Sequence, residues 1–208
     1  GMLSVGGVTT FASLCAAAFV ASTLLFLPNR WPLWLSVPLL VFLCGYSFSK
    51  RFTALAHFWL GAALGLAPVA AWLALRGDVE RPPLVLGVAV LFWVAGFDVI
   101  YACQDVEFDV RAGLHSMPAR LGVTRALRVA ALCHLVTIVA LLLLPSVYPR
   151  LGWIYVSGIL AVAALLAYEH RLVRPDDLSR VNMAFFNVNA VVSIGLFLIG
   201  LADLFVRG

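Results

Sequence analysis

The sequence predicts an all-α, polytopic membrane bundle with seven transmembrane helices. Three observations carry this. The 208 residues are 63% hydrophobic and only 12% charged. Their mean hydropathy is +1.04, the value of a chain that lives in lipid. The stretches without formal charge also recur at membrane-spanning length. They are Leu3–Asn29, Trp31–Ser49, Phe52–Leu75, Pro82–Phe97, Val129–Pro149, Leu151–Tyr168 and Val181–Ala202.

A helix crosses the hydrocarbon with about 20 apolar residues, in a range of about 17–25. Six of the seven stretches fit directly. Pro82–Phe97 is short, and reaches full length by continuing through Asp98 to Gln104. Residues 1–208 are expected to form a single transmembrane domain without an internal repeat. The longest polar insertion is Asp105–Arg128. The first apolar run has no basic residue before it and is too long for the core of a cleaved signal peptide.

The basic residues set the orientation. Lys50, Arg51, Arg111, Arg120, Arg125, Arg128, Arg171, Arg174 and Arg180 fall on one side of the membrane; Arg30, Arg76, Arg81, Arg150 and Arg207 fall on the other. Cytoplasmic loops are enriched in Lys and Arg. The first side, with Lys50 and the N-terminus, is therefore expected to be cytoplasmic, in the inner membrane of a bacterium. The net charge of +4 and pI of about 9.1 suit anionic lipid headgroups and do not call for nucleic acid. Cys15, Cys44, Cys103 and Cys133 lie in apolar segments with no C-x-x-C pair, as small packing residues do.

Against this background the stretch YACQDVEFDVRAGLHS, residues 101–116, stands out. Wound as a continuous helix at about 100° per residue, Asp98, Tyr101, Asp105 and Asp109 share one stripe, with Glu107 opposite. Asp98 lies deep enough that it must face the bundle interior, since an ionisable group in lipid costs at least about 2.5 kcal/mol. Carboxylates stacked at four-residue spacing repel, so a positive partner is expected. Arg111 or Arg120 could supply it in a local ion-pair network. A divalent cation is the sharper reading: Mg²⁺ is commonly held by one or two carboxylates, waters and phosphate oxygens. An EF-hand is excluded, because Val110 and Ser116 stand where its Gly and Glu belong.

A second polar feature, YSFSKRFT at residues 46–53, ends the second span. Lys50 is the only lysine, and Tyr46 lies on the same helix face. Alone, these residues suit an interfacial tyrosine and a snorkelling basic pair. Beside metal-binding carboxylates, the ammonium makes a site for a polyanion such as a diphosphate. An apolar bundle behind that site suits a polyprenyl diphosphate. Phe92, Trp93, Phe97 and Phe185 are available to face an allylic cation.

Arg51 is placed to meet the diphosphate or an acceptor's carboxylate, or to pack in its loop. Asn182 and Asn189 share a face of the last helix, suited to interhelical hydrogen bonds or to the pocket rim. His57 is expected to be a hydrogen-bonded helix residue and His115 to lie in the acid loop. His134 and His170 have no evident partner, and Asp176 and Asp177 are expected to cap a helix. The alternative from another class is a transporter or ion pathway, which expects charges near the midplane on interrupted helices.

These residues resemble the UbiA superfamily of intramembrane prenyltransferases. Three stretches carry the resemblance: GFDVIYACQDVEFDVRAGLHSMPARLG at 96–122, YSFSKRFT at 46–53, and YEHRLVRPDDLSRVNMAFFNVNA at 168–190. The first is similar to the family's second aspartate-rich motif, through Asp105 and Asp109. The second is similar to its Y-x-x-x-K motif, through Tyr46 and Lys50. The wording is closest to the 4-hydroxybenzoate polyprenyltransferase branch and its relatives in ubiquinone and menaquinone synthesis.

The resemblance implies a nine-helix fold and transfer of a prenyl group from its diphosphate to an aromatic acid. Mg²⁺ would bind at two acidic motifs, here at Asp105 and Asp109 for the second. Asp105, Asp109 and Lys50 are then the candidate catalytic residues. Tyr46, Lys50, Arg51, Asp98, Tyr101 and Asn182 are candidate substrate-binding residues. The partners are a polyprenyl diphosphate, an aromatic acid and the bilayer, with no protein partner implied. The family's first motif, N-D-x-x-D, is not found in these residues. The chain is therefore expected to lack the first two helices of the family fold, and to be inactive alone.

Overall fold

The computed structural model describes residues 4–207. It is all-α and contains the seven membrane-spanning helices the hydropathy predicts. α1, Val5–Ser22, runs into a 3₁₀ turn at Thr23–Phe26; α2 is Trp31–Ser49 and α3 is Ala56–Arg76. α4, Arg81–Ala102, continues through a 3₁₀ turn at Cys103–Asp105 into the short α5, Val106–Arg111. The short α6, Met117–Leu121, precedes α7, Val123–Val147. α8 is Trp153–Leu172, and a π-helical turn at Met183–Val188 leads into α9, Asn189–Arg207. The chain is an integral membrane protein.

Local chemistry sets the helix ends. The Ser4 hydroxyl accepts from the Gly7 amide at 3.1 Å and caps α1. Pro82 and Pro83 occupy the first turn of α4, where no intrahelical donor is lost. Gly77, at φ +82°, closes α3 in the left-handed conformation that favours glycine. Asn29 reaches across from the α1–α2 connection and donates to the carbonyls of Leu73 (2.7 Å) and Ala74 (3.1 Å) near the end of α3.

α4 is the mast of the bundle. Gly61 and Gly65 on α3 form a small-x-x-x-small pair that meets Gly87 and Leu91 of α4 backbone to backbone. On its other side Gly96 lies against Ala130 and His134 of α7. Val99, Ile100, Ala126, Ala130, Val162 and Val192 are buried around this seam. Side-chain bonds tie the helices further. Trp59 Nε1 donates to Phe42 O at 2.9 Å, and Trp93 Nε1 to Asn189 Oδ1 at 3.0 Å. Tyr155 Oη donates to Leu141 O at 3.1 Å, and Asp203 accepts from the Gly152 amide. The outward faces are apolar, as lipid requires; α1 has no buried residue.

A cavity of about 430 Å³ lies among Trp72, Pro83, Leu144, Tyr155 and Leu204. Its lining is almost wholly apolar.

A Cβ on Gly65 would stand 2.6 Å from Gly87 O, with backbone on the other side that cannot yield. Gly65→Ala is expected to cost about 1–3 kcal/mol of stability through overpacking. A lowered thermal unfolding midpoint in detergent will show it. Gly195→Ala, with nothing within 4 Å of the new methyl, serves as the silent control.

Candidate active site

Three segments meet at the Lys50 end of the bundle. α2 delivers Tyr46 and Lys50. The α4–α5 extension delivers Asp98, Tyr101, Asp105 and Asp109. The 112–117 loop folds back between them. Leu114 N donates to Asp109 O at 2.8 Å, and His115 N donates to Lys50 O at 2.7 Å. This loop closes over the Asp109 carboxylate, which is 1% exposed. Its Oδ2 lies 3.7 Å from Lys50 Nζ and makes no hydrogen bond. The ammonium is partly open to solvent, with 31% of the side chain exposed.

The single acidic stripe expected from continuous winding is not what forms. A 3₁₀ turn at Cys103–Asp105 interrupts the winding, and the loop after α5 covers Asp109 but not Asp105. Asp105 ends exposed at the start of α5, while Asp98 and Asp109 face inward. Arg111 does not neutralise the pair. It lies 3.6 Å from Glu107 on the outer surface, and Lys50 is the partner of Asp109.

Deeper in, Asp98 Oδ2 lies 2.6 Å from His57 Nδ1, and His57 Nε2 accepts from the Met117 amide at 3.3 Å. Tyr46 lies within Coulombic range of Asp98. α4 also carries one side of an aromatic wall. Tyr101 and Phe97 of α4 meet Phe185 at ring-centroid distances of 4.3 and 5.3 Å, and Trp93 meets Phe97 at 5.7 Å. The π turn of residues 183–188 sets Phe185 there. It also breaks the expected register of the asparagines: Asn189 is half-buried and bonded to Trp93, whereas Asn182 is exposed and makes no side-chain bond among the described residues. Arg51 is exposed and stacks over Phe48 at 5.4 Å.

The other histidines differ from expectation. His134 Nδ1 lies 2.9 Å from His170 Nε2 and 3.7 Å from Glu169 Oε2, so both histidines have partners. Glu169 is fully buried, and neither of its oxygens is hydrogen-bonded. The available signal was an ionisable residue directly after an apolar stretch and still within a spanning helix, which demands a partner somewhere. Asp177 closes a turn rather than capping a helix. Hydrogen bonds from the Ser179 hydroxyl (2.6 Å) and amide (3.0 Å) hold its carboxyl below the usual range.

The donor set suits a divalent cation. The Asp109 carboxylate oxygen is buried and unsatisfied, and Asp105 stands one turn away, the hard anionic oxygens such ions take. Among the described residues no group of three or more His, Cys, Asp or Glu could enclose an ion unaided. A cation here would need further oxygens from a ligand.

A buried, unsatisfied carboxylate thus faces an ammonium at one end of an apolar helix bundle, the arrangement of an intramembrane protein with a charged rim. The chain belongs to the UbiA prenyltransferase family, which matches residues 1–191.

Among its relatives is a 4-hydroxybenzoate octaprenyltransferase of Nitrosospira multiformis, 32% identical over 192 residues, covering 91% of this chain and 66% of the relative. The protein of that name from Aromatoleum aromaticum is 31% identical over 198 residues, covering 92% and 66%. The chain thus spans about two thirds of the length of these relatives. A solved UbiA homologue from Aeropyrum pernix K1 superposes with a TM-score of 0.82 at 30% identity, over 98% of this chain and 74% of that one. A digeranylgeranylglyceryl phosphate synthase, at 17% identity and a TM-score of 0.73, shares the fold.

Glu169 is a carboxyl group buried without a hydrogen bond, which costs about 1–3 kcal/mol. Glu169→Leu is therefore expected to raise the thermal unfolding midpoint in detergent. A fall would show that the carboxyl group is bonded there.

Proposed function

We propose that this protein takes part in prenyl transfer from a polyprenyl diphosphate to an aromatic acid of the 4-hydroxybenzoate type, a step of quinone biosynthesis. The observation that carries the reading is the buried, unsatisfied Asp109 carboxylate opposite the partly open Lys50 ammonium. Family membership and the names of the relatives support it. The excess of basic residues at the Lys50 end supports a cytoplasmic opening.

Asp105 and Asp109 would hold Mg²⁺, which when bound neutralises charge on the departing diphosphate. Lys50 donates to diphosphate oxygens, its three rotatable N–H groups adjusting as charge moves onto the leaving group. Tyr46 and Arg51 would border the same opening. Tyr101, Phe97 and Phe185 face the hydrocarbon end, where their rings hold an allylic cation without bonding to it and shut out water.

The test is saturable, Mg²⁺-dependent binding of farnesyl thiolodiphosphate, an analogue that does not ionise readily, followed by calorimetry in detergent. Asp109→Ala and Lys50→Ala are each expected to weaken binding about tenfold or more, roughly 1.4 kcal/mol. Asp105→Ala is expected to weaken it and to lower its Mg²⁺ dependence. Binding indifferent to Mg²⁺ and to all three changes would defeat the proposal. These residues carry one acidic motif, so prenyl transfer by the 208-residue chain alone is expected to stay at background. Labelled product above background would refute that.

A further inference from the structure

Asp98 stands seven residues before Asp105, roughly 10 Å deeper along the helix, beyond the ~2 Å reach of a metal ligand at Asp105 and Asp109. It needs a different role. One of its oxygens is already committed. The Met117 amide can only donate, so His57 Nε2 carries no proton. The single proton of the neutral ring is then on Nδ1, donated to Asp98 Oδ2 at 2.6 Å. His57 is completely buried, and Met117 belongs to α6, so this ring joins α3, α4 and the end of the acid loop. Asp98 keeps 16% of its side chain exposed, and Oδ1 makes no hydrogen bond among the described residues. That leaves one open acceptor atom on the helix that also carries Phe97 and Tyr101, which pack on Phe185.

We infer that Asp98 is the subsite for the ring hydroxyl of the aromatic acceptor, and that His57 is the residue that positions it. The inference rests on the functional reading above. A bare carboxylate beside an allylic cation would capture it as an ester. A carboxylate engaged by His57 on one oxygen and by the acceptor hydroxyl on the other is occupied.

The chemistry balances. The C–O bond of the prenyl diphosphate breaks and its electron pair leaves with the diphosphate. The ring carbon next to the hydroxyl-bearing carbon bonds to the allylic carbon, while the hydroxyl proton passes to Asp98, giving a neutral ring ketone. The hydrogen on the newly bonded ring carbon leaves as a proton to the released diphosphate. Asp98 then returns its proton to the ring oxygen.

The test compares binding of 4-hydroxybenzoate and 4-methoxybenzoate, which lacks the donor, in the presence of Mg²⁺ and farnesyl thiolodiphosphate. The unaltered chain is expected to prefer the hydroxyl compound by roughly tenfold or more. Asp98→Ala and His57→Leu should bring the preference to within about twofold, while still binding the diphosphate analogue normally. His57→Gln, whose amide keeps one donor and one acceptor, should restore the preference. A preference that survives His57→Leu or Asp98→Ala overturns the inference, as does an unaltered chain with no preference. Loss of analogue binding in His57→Leu would make His57 a structural residue and also overturn it. Failure of the unaltered chain to bind the analogue at all defeats the functional reading, and this inference with it.

Discussion

The contact between the Lys50 ammonium and the Asp109 carboxylate is where the two polar features of the sequence meet. At 3.7 Å it is an ion pair but not a hydrogen bond. The carboxylate is nearly inaccessible, yet one oxygen has no donor. Burying a charge in a poorly solvated place costs several kcal/mol unless a partner and hydrogen bonds offset it. Here the offset is incomplete, and the loop that buries Asp109 is itself bonded to the Lys50 carbonyl. Strain of this kind is relieved by a ligand that brings positive charge to the acid and negative charge to the amine. In the proposed reading, a metal–diphosphate pair would do both.

That contact is held in place by packing further down. Glycines at 61, 65, 87 and 96 let α3 and α7 approach α4 closely on both sides. In lipid, where hydrophobic burial between helices counts for little, such close packing is a main source of cohesion. α4 also carries Asp98 and Tyr101 and ends in the turn that presents Asp105 and Asp109. The site is thus built on the most constrained helix in the bundle, and its loop is pinned at both ends. Sites on rigid elements keep their geometry better than sites on free loops.

The seven spans were legible because composition and length alone decide them; the ends moved by a few residues. The fourth ran on to Arg111, and the fifth began earlier, at Val123. Lys50, Asp109 and Tyr46 were legible because four-residue spacing survives in any α-helix. The 3₁₀ turn at Cys103–Asp105 was not, since such a turn has no distinct composition. The same holds for the π turn that separates Asn182 from Asn189. His57 with Asp98 and His134 with His170 were out of reach for another reason. Their partners lie 41 and 36 residues away on other helices, and only the packed bundle brings them together.

The choice of a lone lysine among arginines has a physical reading at this site. An arginine at position 50 would present a planar fork that matches a carboxylate in two hydrogen bonds. Asp109 would then be satisfied within the protein, and both its oxygens and the guanidinium would be spent. A lysine is a compact point charge on a flexible stem. It steadies Asp109 from 3.7 Å without engaging it, and its donors remain free to turn toward another anion. The long, imperfect ion pair is therefore what keeps both partners available. The same looseness would let the proposed site take a cation and an anion together.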